Sequence, residues 1–129
     1  IKRWIAILEA SYILFLLPPY YNNLGRRLVK SPKVYFYDTG LVAYLTGIET
    51  QQQFLQGPMA GSLFENGVIA DIYKNQLHHK THTDLYYFRT HTGLEVDLIL
   101  DRKSSQDFIE IKLNSTFSNR WMKPMEDIM

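Results

Sequence analysis

Two strand-like segments hold the residues whose types and spacing could do chemistry. Side chains alternate across a strand, so parity sorts them. In 94–100, Val96, Leu98 and Leu100 share one face, while Glu95, Asp97 and Ile99, with Asp101 just beyond, share the other. In 108–113, Ile109, Ile111 and Leu113 stand opposite Phe108, Glu110 and Lys112. Pairing the apolar faces gathers Glu95, Asp97, Glu110 and Lys112 on one side of a sheet. Carboxylates from adjacent strands suit a hard divalent cation, which prefers oxygen ligands. Lys112 lies about 7 Å from Glu110 along the same face, near enough to orient or deprotonate an attacking water. That is a hydrolytic constellation. Solvent-facing strands also carry Glu and Lys as ordinary cross-strand pairs, and spacing alone leaves both readings open.

Other candidates are thinner. His78, His79 and His82 form an HHxxH string that, on a helix, could present two imidazoles to a transition metal. Its flanks read as loop, and no matched acid lies nearby. Tyr86, Tyr87 and Phe88 could stack on bases, although strand aromatics beside a helix more often fill a core. Arg26, Arg27, Lys30 and Lys33 could contact phosphates from a turn lying along a nucleic-acid backbone; the same turn could dock on a neighbouring protein domain. No GxxxxGK[ST] string occurs, so ATP binding of the P-loop kind is not expected within these residues.

The elements that must position these residues follow from periodicity. Residues 2–12 predict a helix with Trp4, Ile5, Leu8 and Tyr12 on its apolar face. Leu14 to Leu17 reads as a strand stopped by Pro18-Pro19. Tyr20 to Leu28 carries turn signals, and Val34 to Tyr37 reads as a return strand. Asp38 or Thr39 can cap a short helix from Gly40 to Leu45. Helix, strand, basic turn and strand together resemble the second half of a winged helix. Residues 49–58, with three consecutive glutamines before Gly57-Pro58, read as a linker. From Met59 to Gln76 runs the longest helical pattern, carried by Phe64, Val68 and Ile72 and by Ile69 and Tyr73. Gly67 in its middle suggests close packing against a sheet. Strands are expected at 85–89, 94–100 and 108–113, close enough for antiparallel neighbours. A final helix begins near Trp121. The fold class is therefore α/β in the mixed α+β sense, with domains at 1–48 and 59–129.

The 129 residues suit one compact domain or a domain with an appendage, and 46% hydrophobic with 21% charged residues is a globular composition. Zero cysteines exclude a disulfide scaffold, a cysteine nucleophile and thiolate metal sites. The longest apolar run, Tyr12 to Leu17, is far short of the ~20 residues a bilayer span needs, so no membrane partner is expected. A chain opening at Ile1, without initiator Met or signal peptide, is expected to be a piece of a longer soluble, cytoplasmic protein. The net charge of +1 hides an asymmetry. Up to Lys33 there are six basic residues against Glu9 alone, and beyond it eight basic against twelve acidic. A basic arm beside an acidic body is compatible with phosphate binding by the first and cation binding by the second.

Three strings carry a family resemblance: GSLFENGVIADIYK (61–74), DLYYFRTHTGLEVDLIL (84–100) and FIEIK (108–112). They resemble the PD-(D/E)xK nuclease-like superfamily, and more narrowly the C-terminal domain of unknown function (number 4143) of bacterial and archaeal AAA-type ATPases. The string at 17–48 is similar to the segment preceding that domain in the same proteins. The resemblance implies a restriction-endonuclease-like core, a central sheet flanked by helices, truncated here at its C-terminus. It implies Asp97 and Glu110 as metal ligands, Lys112 as the residue acting on the attacking water, and Glu65 as an accessory carboxylate. Val96 stands where the motif's name has Pro, a mild departure. The implied chemistry is Mg²⁺- or Mn²⁺-assisted attack of water on a phosphodiester of DNA, in a chain partnered by an N-terminal ATPase domain. The alternative is a module that keeps the fold without the reaction and recognises DNA or a protein partner.

Overall fold

The computed structural model describes residues 1–21 and 28–129, so Arg26 and Arg27 lie outside the described residues. In chain order the elements are α1 (Lys2–Ala10), β1 (Leu14–Leu17), β2 (Lys33–Phe36), α2 (Thr39–Leu45), α3 (Gln51–Gln56), α4 (Ala60–His78), β3 (Asp84–Arg89), β4 (Glu95–Asp101) and β5 (Gln106–Ile109). A 3₁₀ turn at Asn119–Trp121 and the short α5 (Lys123–Glu126) follow. The architecture is mixed α+β, with a two-stranded sheet β1-β2 and a three-stranded sheet β3-β4-β5. These elements fall into two compact units that interleave along the chain. One comprises 1–16 and 34–79, the other 17–33 and 80–129.

In the first unit, α4 packs against the β1-β2 pair through an aromatic cluster. Phe15 of β1 stacks on Tyr73 of α4 with ring centroids 4.1 Å apart and on Tyr35 of β2 at 5.8 Å. The buried face of α4 is Ala60, Leu63, Asn66, Ile69 and Ala70, whereas the expected face included Phe64, which is exposed. Asn66 displaces the apolar pattern because it completes strand-like bonding for β2: its Oδ1 accepts from Phe36 N–H (2.8 Å) and its Nδ2 donates to Phe36 O (3.0 Å) and Thr39 Oγ1 (3.1 Å). A buried amide is tolerated only with such partners. Gly67 faces Thr39 at the start of α2, where a Cβ would stand 3.6 Å from Oγ1; its neighbour is a helix start and not the sheet expected. Asp38 caps α2 by accepting from Gly40 N–H at 2.8 Å. Residues 51–56, inside the expected linker, form α3 because Thr50 and Gln53 make a reciprocal capping box. On α1 no residue is buried; Trp4 and Tyr12 of its expected apolar face are exposed, and Ile5 and Leu8 are half-buried.

The second unit is built on the antiparallel sheet β3-β4-β5. Register runs from Asp84 opposite Asp101 to Tyr86 opposite Ile99, then resumes with Phe88 opposite Val96. One residue of β3, Tyr87, therefore opposes two of β4, Asp97 and Leu98. This bulge breaks strict alternation. Val96 and Ile99, expected on opposite faces, join one core with Leu28, Phe88 and Met125. Tyr87 and Phe88 are fully buried. The turn between β3 and β4 needs a left-handed residue, supplied by Gly93 (φ 94°). The outer edge of β3 is covered by the chain on either side of the undescribed residues 22–27. Tyr20 N–H donates to Tyr87 O, Tyr87 N–H to Pro18 O, and Val29 N–H to Arg89 O, at 2.7–3.1 Å. What reads in sequence as a projecting wing thus has its described flanks tied along β3, whose open backbone groups needed partners.

Candidate functional site

The bulge sets the geometry of the site. β5 was expected over 108–113 but ends at Ile109, because the next inward N–H, that of Ile111, donates to the Asp97 carboxylate (Oδ2, 2.8 Å) in place of a backbone carbonyl. Asp97 is 5% exposed. That side-chain-to-backbone bond orients its carboxylate and ties β4 to the strand exit carrying Glu110 and Lys112. Lys112 then spans both acids: its Nζ is 2.6 Å from Glu110 Oε1 and 3.7 Å from Asp97 Oδ2. Glu110 is half-buried, and its second oxygen, Oε2, is buried with no hydrogen-bond partner among the described residues. A buried carboxylate oxygen without a donor is costly.

Of the residues singled out from sequence, the structure brings together Asp97, Glu110 and Lys112. Glu95 is drawn elsewhere: its carboxylate pairs with Lys33 at 2.6 Å and Arg89 at 3.7 Å. Glu65 belongs to the first unit, where Tyr35 Oη donates to its Oε1 at 2.5 Å. Among the described residues no cluster of three or more His, Cys, Asp or Glu is arranged to hold an ion. The oxygen donors at the pair are therefore two carboxylates, a set that fits a hard cation completing its shell with water or phosphate oxygens. His78, His79 and His82 are solvent-facing, and His79 Nδ1 bonds Asn75 O at 2.9 Å.

Of the four basic candidates, Arg26 and Arg27 are undescribed, and Lys30 is exposed. Lys33 is 22% exposed; besides its pairing with Glu95 it lies over the Tyr87 ring, 5.3 Å from the centroid. Tyr87 Oη in turn donates to Ser31 O. Burial pushes the Tyr87 phenol above its ordinary value, with Lys33 and Arg89 opposing. Lys33 is thus built into the edge of the sheet.

Sequence reasoning missed the wall beside Lys112. A cavity of about 310 Å³ is lined by Glu110 and Lys112 and by Asn114, Phe117, Trp121 and Met122 among others. Phe117 and Trp121 meet edge to face with centroids 5.9 Å apart. The available signal was the four-residue spacing of two large aromatics in an otherwise polar stretch.

Comparison with known proteins gives two family matches. Residues 60–129 match the family described as domain of unknown function (DUF4143), and residues 1–52 match another domain of unknown function (DUF8612). Uncharacterised proteins from Mycobacterium bovis and from Mycobacterium tuberculosis are each 30% identical over 115 residues, 89% of this chain. The chain spans about a quarter (25%) of the length of these relatives. No solved structure matches.

Proposed function

From its membership of the DUF4143 family, to which the chain belongs through the match over 60–129, we propose that the chain carries a nuclease-like module that hydrolyses phosphodiesters of DNA at Asp97, Glu110 and Lys112. The observation that carries the reading is the joining of two carboxylates, one buried and one half-buried, by a single ammonium, with Glu110 Oε2 buried and unpartnered among the described residues. In this reading Asp97 and Glu110 hold Mg²⁺ or Mn²⁺. When bound, the cation supplies charge stabilisation at the phosphoryl oxygen and makes water a better nucleophile. The chain's own residues do the rest. Ile111 N–H fixes the Asp97 carboxylate. Lys112 orients the attacking water and steadies the negative charge that builds on the phosphoryl oxygens. Water oxygen bonds to phosphorus, one P–O ester bond breaks, and a hydroxyl and a phosphate monoester result.

The same reading gives the sheet of the second unit the role of a restriction-endonuclease-like core and makes the chain the C-terminal part of a cytoplasmic AAA-type ATPase. The chain's 25% share of its relatives' length is consistent with such a partner domain. Among the described residues no helix is long and apolar enough to cross a membrane.

Calorimetric titration with Mn²⁺, run beside Asp97→Asn, is the test, because Asn keeps an acceptor for Ile111 N–H while removing the charge. Binding by the wild type, lost in the variant together with Mn²⁺-dependent DNA cleavage, is the expected result. Cleavage unchanged in Asp97→Asn would refute the assignment. One observation favours a second reading: Lys112 already balances much of the pair's charge, as it would in a module that binds DNA or a protein without cutting. DNA binding with neither cation binding nor cleavage would establish that alternative.

A further inference from the structure

We infer that the cavity beside Lys112 is a pocket for an unstacked nucleobase, which makes single-stranded or frayed DNA the substrate class of the site. The inference rests on the phosphodiester reading above and adds to it a second group of residues. The same cavity is lined by Glu110 and Lys112, the acid–ammonium pair at which the phosphodiester reading places the cation and the scissile phosphate, and by Phe117 and Trp121, aromatic side chains that a phosphate does not need. A nucleotide is the ligand that presents both chemistries at once, an anionic backbone joined to a flat aromatic base. The volume of about 310 Å³ is at the small end of ligand pockets, roughly 300–1,000 Å³, and suits one base more than a base pair. Met122 adds a polarizable thioether to the wall, a favourable neighbour for an aromatic ring.

Geometry then selects against intact duplex. In the interior of a duplex both faces of each base are already stacked, so a protein ring can take one only after the base leaves the helix. A base already unpaired needs no such step, and base–aromatic stacking is tolerant of sequence. Phe117 is 66% exposed, so it stands where an incoming base would first meet the wall and contributes little to the core.

The test uses a Trp4→Phe background, which leaves Trp121 as the single tryptophan; Trp4 is 70% exposed on α1. In Ca²⁺, a single-stranded oligonucleotide is titrated against a blunt duplex of the same sequence, with tryptophan quenching as the readout. The expected result is saturable quenching by the single strand at about tenfold lower concentration than by the duplex. Phe117→Ala should weaken single-strand binding about tenfold, the scale of losing one base–aromatic stack, and Phe117→Tyr should restore it. Equal affinity for the two forms, absence of quenching, or an unaffected Phe117→Ala variant would overturn the pocket. Mn²⁺-dependent cleavage, assayed on the same preparation, separates the two ideas. Cleavage without quenching keeps the reaction and removes the pocket; quenching without cleavage keeps the pocket and removes the reaction.

Discussion

Lys112 is the residue on which the site's electrostatics turn. Its ammonium pairs with two carboxylates that have little solvent access, their side chains only 6% and 13% exposed. Removing one partner of such a cluster costs more than an exposed ion pair contributes. Lys112→Ala should therefore lose about 1–2 kcal/mol of stability at neutral pH. Under the proposed function, Mn²⁺ should then raise the melting temperature of Lys112→Ala by more than that of the wild type, because the cation takes over the charge balance. Thermal melts with and without Mn²⁺ check this, and equal shifts would count against a cation at the pair. Asp97 carries a separate structural duty through Ile111 N–H. Asp97→Ala should destabilise the chain by about 1–3 kcal/mol while Asp97→Asn stays near wild type, measured by urea unfolding.

At the scale of elements, α4 shows where a pattern of apolar residues misleads. Its pattern is carried by Phe64, Val68 and Ile72 and by Ile69 and Tyr73. Ile69 is buried and Tyr73 stacks on Phe15, but Phe64 is exposed, and Asn66 is buried because β2 ends where a side-chain amide can replace a neighbouring strand. Nothing in residue type distinguishes such an Asn from a surface one. Asn66→Ala should cost about 2–3 kcal/mol by leaving the Phe36 N–H and C=O without their partner, seen as a lowered urea midpoint. Gly67 predicts the opposite sign. A Cβ there meets Thr39 Oγ1 at 3.6 Å, an ordinary contact, so Gly67→Ala should stabilise by up to about 1 kcal/mol through helix propensity. A loss of stability would show that α4 and α2 are packed more tightly than this contact implies. The bulge in β4 is the second case. Alternation correctly brought Asp97 near Glu110 and Lys112, but it also joined Glu95 to them and split Val96 from Ile99. A single extra residue reverses parity beyond it.

For the whole molecule, pH and salt are the informative variables. Burial, and next the neighbouring Tyr73, push the Tyr37 phenol up to about 12, whereas a tyrosine in the unfolded chain titrates near 10. The folded chain thus holds this proton more tightly, so the stabilisation is complete below about pH 10 and is lost as pH rises towards 12. Urea midpoints should fall across that window, and Tyr37→Phe should fall less; identical profiles would remove Tyr37 as a cause. If the loop between β1 and β2 contacts phosphates, replacing Arg26 and Arg27 by Ala should flatten the salt dependence of single-strand binding by about 1.4 in log–log slope. Lys33→Ala should change it little, since Lys33 is engaged by Glu95. An unchanged slope in the double arginine variant would assign that loop to docking on a protein domain.

The sequence by itself determined the class of the fold, the strand–turn–strand run of the sheet, the long helix and the nearness of Asp97 to Glu110 and Lys112. Each of these rests on local periodicity, turn residues or short-range spacing, which the chain encodes within a few residues. It read α3 as linker, although Thr50 and Gln53 carried the capping signal. Tertiary structure alone decided the interleaving of the two units, the burial of Asn66 and the diversion of Glu95 to Lys33 and Arg89. It also set the cavity wall of Phe117 and Trp121. These depend on which distant segment arrives to satisfy a buried amide, a carboxylate or an open strand edge, and no local pattern records that arrival.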